Sequence, residues 1–405
     1  MGSMPSPVRW QADSDRGHYV AFACVPRPLR RPGRSQPGLY AKTICTSWSF
    51  RTAGLRSLFL PEITERLGTG HYSVVPDFTD CPGDLDMVDR GLGFFRLPVL
   101  PYQAHLEGVE RKVTRREKET VVEYRTPLGS LRTTKVFTEE MLDAGASGPW
   151  TTEHAIREPK DFDILQHLFS RIRVEPQSDG YLALRQQVGS RGVVVGYVSG
   201  TACPMHHIMK ELMPLDQFFY ALHDCPEKVQ GLAEAMQPYY LQIRECAANS
   251  PAEAILLGGN YDDSITFPPF FRRHILPPLR EYAAVLHERG KLLITHTDGE
   301  NRRLMPLYLE AGFDVADSVC PHPMTSLRLE EFLETFAGHI AVMGGIPAIL
   351  LCKDSSTAEE CRGFVDRTLE RYGRQTRFIL GVSDMVTADA EWDRLQYITD
   401  RVQNR

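Results

Sequence analysis

Lys291-Leu292-Leu293-Ile294-Thr295-His296-Thr297-Asp298-Gly299-Glu300-Asn301 decides the fold, because a short apolar run there delivers the chain straight into a loop dense in ionisable side chains. Leu292-Leu293-Ile294 with Lys291 and Thr295 at its ends has strand length, and a strand without polar alternation is buried on both faces, as in a parallel sheet. The same texture recurs through the second half of the chain. Strands are predicted over Val193–Val198, Ala254–Leu257, Lys291–Thr295, Asp314–Asp317, Ile340–Met343 and Phe378–Leu380, with helix-length amphipathic segments between them. Pro268 and Pro277-Pro278 stand where helices start, and Gly290 follows His287-Glu288-Arg289 as a carboxyl cap. This βαβ pattern predicts an α/β fold of the (β/α)8 TIM-barrel type, with a doubly wound open sheet as the alternative.

Upstream the texture changes. Residues 1–40 form an arm rich in Arg, Pro and Ser, expected to be loosely packed or partly disordered, with one strand-like run, His18–Cys24. Residues 41–405 are read as a single barrel domain. Within it, Arg56–Gly68 suits a short helix and Tyr72–Pro76 a strand. Lys112–Phe137 alternates as a β-hairpin around Pro127-Leu128-Gly129-Ser130, a β-ribbon insertion at about residues 110–140.

Composition narrows the function. The 405 residues are 42% hydrophobic, enough for a large core, and α/β barrels of this length form one unit. A net charge of -6, with Lys and Arg spread among acids, argues against a nucleic-acid partner. Nine scattered cysteines without a CxxC pair argue against a disulfide framework and fit a reducing cytoplasm. No apolar run reaches the ~20 residues that cross a bilayer, and no signal pattern opens the chain, so no membrane association is expected. GxGxxG, P-loop and GxSxG patterns are absent.

In parallel α/β folds the chemistry collects beyond the carboxyl ends of the strands. Here those loops carry Ser199-Gly200-Thr201-Ala202-Cys203-Pro204-Met205-His206-His207, Gly258-Gly259-Asn260-Tyr261-Asp262-Asp263, His296-Thr297-Asp298-Gly299-Glu300-Asn301, Ser318-Val319-Cys320-Pro321-His322, Gly344-Gly345-Ile346-Pro347 and Gly381-Val382-Ser383-Asp384. One such residue is more often a cap than a catalyst, but their coincidence at one rim marks an active site. His296, Asp298, Asp262 and Asp263 are the catalytic candidates, since paired carboxylates can split their pKa values and share acid and base work. Cys203, His206, His207, Asn260, Tyr261 and Asp384 are the substrate-binding candidates. The bland readings are a buried small residue for Cys320, a turn cap for Asp298, a helix cap for Asp262 or Asp263, and core or solvent positions for His206 or His207.

From about Gly192 to Asp384 the chain resembles the uroporphyrinogen decarboxylase superfamily, and within it the corrinoid- and thiol-linked methyltransferases. The likeness rests on Asp262-Asp263-Ser264-Ile265-Thr266-Phe267-Pro268 with Ile275-Leu276-Pro277, on the strand entering His296-x-Asp298-Gly299, and on Gly344-Gly345-Ile346-Pro347. It covers about half the chain well and the amino-terminal half only loosely. It implies a (β/α)8 barrel and a methyltransferase that moves a methyl group from a small ether, amine or thioether donor to a corrinoid or thiol acceptor. The methyltransferases hold zinc with a His-x-Cys pair and a distal cysteine. This chain departs from that pattern: Asp298 stands where the first cysteine would be, and the distal position falls near Val382-Ser383-Asp384. The zinc expected here is held by His296, Cys320 and Asp298, with His322, Asp384 or a water completing the set.

No corrinoid-binding signature lies in the chain, so a corrinoid would come as an external substrate or on a partner protein. A homodimer is common in families of this kind. Two other functions stand beside methyl transfer. Arg51-Thr52-Ala53-Gly54-Leu55-Arg56 echoes the arginine motif that decarboxylases of polycarboxylates use, although the rim loops supply almost no further arginine. A non-catalytic binding barrel is the other.

Overall fold

The computed structural model describes residues 44–46, 93–95 and 100–403, apart from 117, 139, 142–148, 189–193, 375–376 and 384–389. The amino-terminal arm, the Arg56–Gly68 helix, the Tyr72–Pro76 strand, the Arg51–Arg56 motif and Asp384 lie outside the described residues. The strands of the amino-terminal half are β1 (Ile44–Thr46), β2 (Gly93–Phe95), β3 (Tyr102–Leu106), β4 (Glu110–Arg115), β5 (Glu119–Thr126), β6 (Gly129–Val136), β7 (Trp150–Glu153) and β8 (Ile172–Pro176). Those of the carboxyl half are β9 (Gly196–Ser199), β10 (Ala254–Gly259), β11 (Leu292–His296), β12 (Val315–Val319), β13 (Ala341–Ile346) and β14 (Phe378–Val382).

Eight strands form one sheet in the order β2-β1-β14-β13-β12-β11-β10-β9, and every neighbouring pair runs parallel. From β9 to β14 each strand pairs with the next in sequence, across a helical crossover. The order advances without the reversal that a doubly wound sheet contains. This is a mixed α/β fold around a parallel sheet, as the six apolar runs predict. All residues of β10, β12 and β14 are buried, which is why these strands read as continuous apolar runs.

The sheet has two unlike faces. Ile255, Leu257, Leu293, Ala316, Val342 and Leu380 join the large core shared with the helices. Val195, Ala254, Leu256, Ile294, Val315, Met343 and Ile379 form a small separate cluster on the other face. Side chains alternate along a strand, so His296, two beyond Ile294, and Asp317, two beyond Val315, continue that row at the carboxyl end. The site is a consequence of strand parity.

The insertion is larger than the expected hairpin. β4 to β7 make a four-stranded antiparallel meander, with Thr126 opposite Gly129 across the Pro127-Leu128 turn. A separate ribbon of β3 and β8 is tied to the main sheet by the buried Tyr102 hydroxyl, which donates to the Val198 carbonyl at 2.7 Å. Tyr102→Phe should lower stability by about 1–2 kcal/mol, because the buried carbonyl loses its side-chain donor. Urea denaturation measures this, and an unchanged midpoint would dismiss the tie. Among the described residues no helix is long and apolar enough to cross a membrane.

Candidate active site

Parallel register brings the centre together. His296 ends β11 directly opposite Asp317 of β12, and its Nδ1 lies 2.8 Å from Asp317 Oδ2. The other ring nitrogen, Nε2, stands 3.5 Å from Asp298 Oδ1. Gly259 of β10 leaves room for this ring, since a Cβ there would come within 2.9 Å of the His296 Cβ. The His296 side chain is 15% exposed and that of Asp317 1%, so both charges act in a medium poorer than water. Burial alone would strip the proton from His296. Asp298 and Asp317 outweigh it and hold the imidazole well above its ordinary value. For Asp298, burial pushes upward, but His296, the Asn260 amide and Lys210 pull it below the usual carboxylate range.

The network extends outward. Asn260 Nδ2 donates to Asp298 Oδ2 at 2.8 Å, and its Oδ1 accepts from Lys210 Nζ at 2.5 Å. Asn260 takes a left-handed backbone, φ +58°, as does Ser318 at φ +60°. Non-glycine residues in that region concentrate at functional sites, where surrounding structure holds the strain. Asp317 Oδ1 and Ser318 Oγ are buried and find no hydrogen-bond partner among the described residues. Each such atom costs about 1–3 kcal/mol unless something satisfies it.

The remaining candidates divide by role. Asp262 Oδ1 accepts from the Ser264 N–H at 2.9 Å and Oδ2 from the Glu300 N–H at 3.1 Å. Burial opposes these bonds, yet they hold the Asp262 carboxyl below its ordinary range. Asp263 accepts from the Arg303 N–H at 2.8 Å and pairs with its guanidinium at 3.1 Å. These aspartates staple the loop after β10 to the loop after β11. The cap of the latter loop is Asn301 rather than Asp298, its amide donating to the carbonyls of Thr297 and Gly299 while the Tyr308 hydroxyl fixes its other end.

Cys203 is buried at the start of the Pro204–His207 helix, accepts from the His206 N–H at 3.4 Å and donates to the His274 carbonyl at 3.2 Å. Burial pushes its thiol up to about 12, so it serves as a cap and not as a thiolate. His206 accepts from the Ala202 N–H on Nδ1 at 3.2 Å, which leaves its proton on Nε2, and burial keeps it neutral. Its ring packs 5.3 Å from that of the wholly buried Tyr261, whose hydroxyl accepts from Thr295. His207 bonds the Tyr240 hydroxyl at 3.0 Å and packs against Phe169 in the helix layer. None of these contacts involves His296, Asp298 or Asp317.

Zinc ligation as expected is not assembled. Among the described residues no three His, Cys, Asp or Glu side chains are arranged to hold a metal ion. Asp298 and Asp317 lie against opposite edges of the His296 ring and do not converge, and the buried Cys320 follows β12 three residues past the Asp317 register position. Ser318 stands in a rim loop that the sequence singles out, whereas Asp317 and Lys210 are the site residues that the sequence left unsuspected.

No family model and no curated protein sequence matches the chain. Among solved structures it is similar to a methyltransferase from Methanosarcina mazei, with a TM-score of 0.44 and 11% identity over 63% of this chain and 72% of that one. A dipeptide epimerase from Methylococcus capsulatus complexed with Mg ion gives a TM-score of 0.14 and 11% identity, over 51% of this chain and 86% of that one. Likenesses this distant leave the function to the site itself.

Proposed function

We propose that the chain is a (β/α)8-barrel enzyme of the uroporphyrinogen decarboxylase-like kind that transfers a methyl group from a small ether, amine or thioether to a thiol or corrinoid acceptor, with His296 as the acid. The strand order supports the barrel, since closure between β2 and β9 would complete it. The observation that carries the chemistry is His296 set between Asp298 and Asp317, its Nδ1 2.8 Å from one carboxylate and its Nε2 3.5 Å from the other, at the carboxyl ends of parallel strands. Displacement at a methyl carbon needs an aligned nucleophile and a stabilised leaving group. As the acceptor, a thiolate or reduced cobalamin, forms its bond to the methyl carbon, the carbon–heteroatom bond breaks and its electron pair stays on the heteroatom. That atom takes the proton from His296 Nε2, the edge not tied to Asp317. The products are the protonated, demethylated donor, the methylated acceptor and neutral His296. No step of this route is placed on a metal.

The test is a screen of purified full-length protein against methoxy, methylamino and methylthio compounds, with a thiol or reduced cobalamin as acceptor. Demethylated donor and methylated acceptor should form in equal amounts. Carbon dioxide released from a polycarboxylate, with no methyl transfer from any donor, would replace this reading with decarboxylation.

A further inference from the structure

Lys210 sits in the π-helical stretch Ile208–Leu212 that follows β9, and its ammonium reaches back over the carboxyl ends of the strands. It donates to the Gly200 carbonyl at 3.3 Å and to Asn260 Oδ1 at 2.5 Å. Both acceptors are neutral. An ammonium carries three protons, and the third meets no acceptor among the described residues. The carboxylates nearby are spoken for: Glu211 turns to the buried Lys135 at 3.7 Å, Asp317 and Asp298 engage His296, and the Asn260 amide stands between Asp298 and Lys210. Burial draws Lys210 below the usual lysine range, and Glu211 and Asp298 only partly restore it. A partly buried cation held by neutral groups, without a contacting counter-ion, is costly unless an anion completes it.

Resting on the acid-catalysed reading above, we propose that Lys210 anchors a carboxylate of the substrate, so that the methyl donor is a small methylated carboxylic acid. The donor's carboxylate meets the unused Lys210 proton, and its heteroatom meets His296. Asn260, fixed by its left-handed backbone, joins the two ends and sets their spacing.

Binding tests this without turnover. Calorimetry in low-salt buffer at neutral pH would compare benzoate with its neutral analogue benzamide, on wild type, Lys210→Met and Lys210→Arg. Wild type should bind benzoate roughly tenfold or more tighter, the worth of one charge-assisted hydrogen bond. Lys210→Met should erase the preference, and Lys210→Arg, which keeps the charge, should retain part of it. Circular dichroism confirms that each variant is folded. Equal binding of the two probes by wild type, no saturable benzoate binding, or a preference that survives in Lys210→Met would each overturn the anchor. Lys210-dependent benzoate binding without methyl transfer would retire the methyltransferase and leave the carboxylate site standing. Methyl transfer indifferent to the donor's charge would do the reverse.

Discussion

Gly344→Ala is expected to leave little folded protein, with a loss of about 4 kcal/mol or more. Gly344 in β13 has φ +129°, a conformation that L side chains rarely adopt, and a Cβ there would come within 2.7 Å of the Val319 carbonyl oxygen and 2.8 Å of the Val319 nitrogen. Both obstacles are backbone, so no rotamer change relieves them. The close approach follows from the irregularity between Ala316 and Val319, where β12 shifts register against β13 and Ser318 turns left-handed. That same irregularity lies beside Asp317, and Ser383 of the loop after β14 ties the Val319 carbonyl from the far side at 2.7 Å. A bulge of this sort re-aims a side chain next to a functional site. Gly338→Ala is the control: φ is +77° but nothing lies within 4 Å of the added carbon, so only backbone strain of about 1 kcal/mol is expected. Soluble yield and urea midpoints compare the two. If Gly344→Ala is no worse than Gly338→Ala, the packing of β12 on β13 is not as described.

The sequence exposes β9 to β14 because burial on both faces leaves apolar runs that need no partner to be recognised. Its errors share one cause. Gly258-Gly259 and Gly344-Gly345 look like turns, yet they extend β10 and β13, since glycine there answers a neighbour's bulk and not a need to reverse the chain. His296 was legible from its place after a strand. Asp317 was not, because an acid at a strand end reads as the end of the strand, and only register sets it opposite His296. Lys210 hid among Ile208, Met209 and Leu212, whose spacing suggests an ordinary helix, whereas the wider π turn alters the direction in which each side chain leaves the axis. The meander was half legible: β5 and β6 alternate cleanly around Pro127-Leu128, while β7 and the β3–β8 ribbon are short and pair at long range.

Replacing His296 with Gln should lower kcat/KM for methyl transfer by roughly 10²–10⁴, the usual worth of a positioned acid. Asp317→Asn should act through the proton rather than the ring. His296 is raised above the ordinary histidine value, so the stability and activity that depend on its charge are fully present below about pH 6.5 and lost as pH rises through the raised value. With Asp317 neutral, burial remains and one of the two carboxylates opposing it is gone. The alkaline limb of the rate profile must therefore move to lower pH, and the rate near neutrality must fall with it. Asp298 sets the opposite limit: its carboxyl lies below the ordinary range, so its contribution is present above about pH 4 and fails only as pH falls through that lowered value. Profiles of kcat/KM against pH for wild type, His296→Gln and Asp317→Asn read all three effects. An Asp317→Asn enzyme slowed equally at every pH would make Asp317 a packing residue, and an unmoved alkaline limb in wild type and variant alike would remove His296 as the acid.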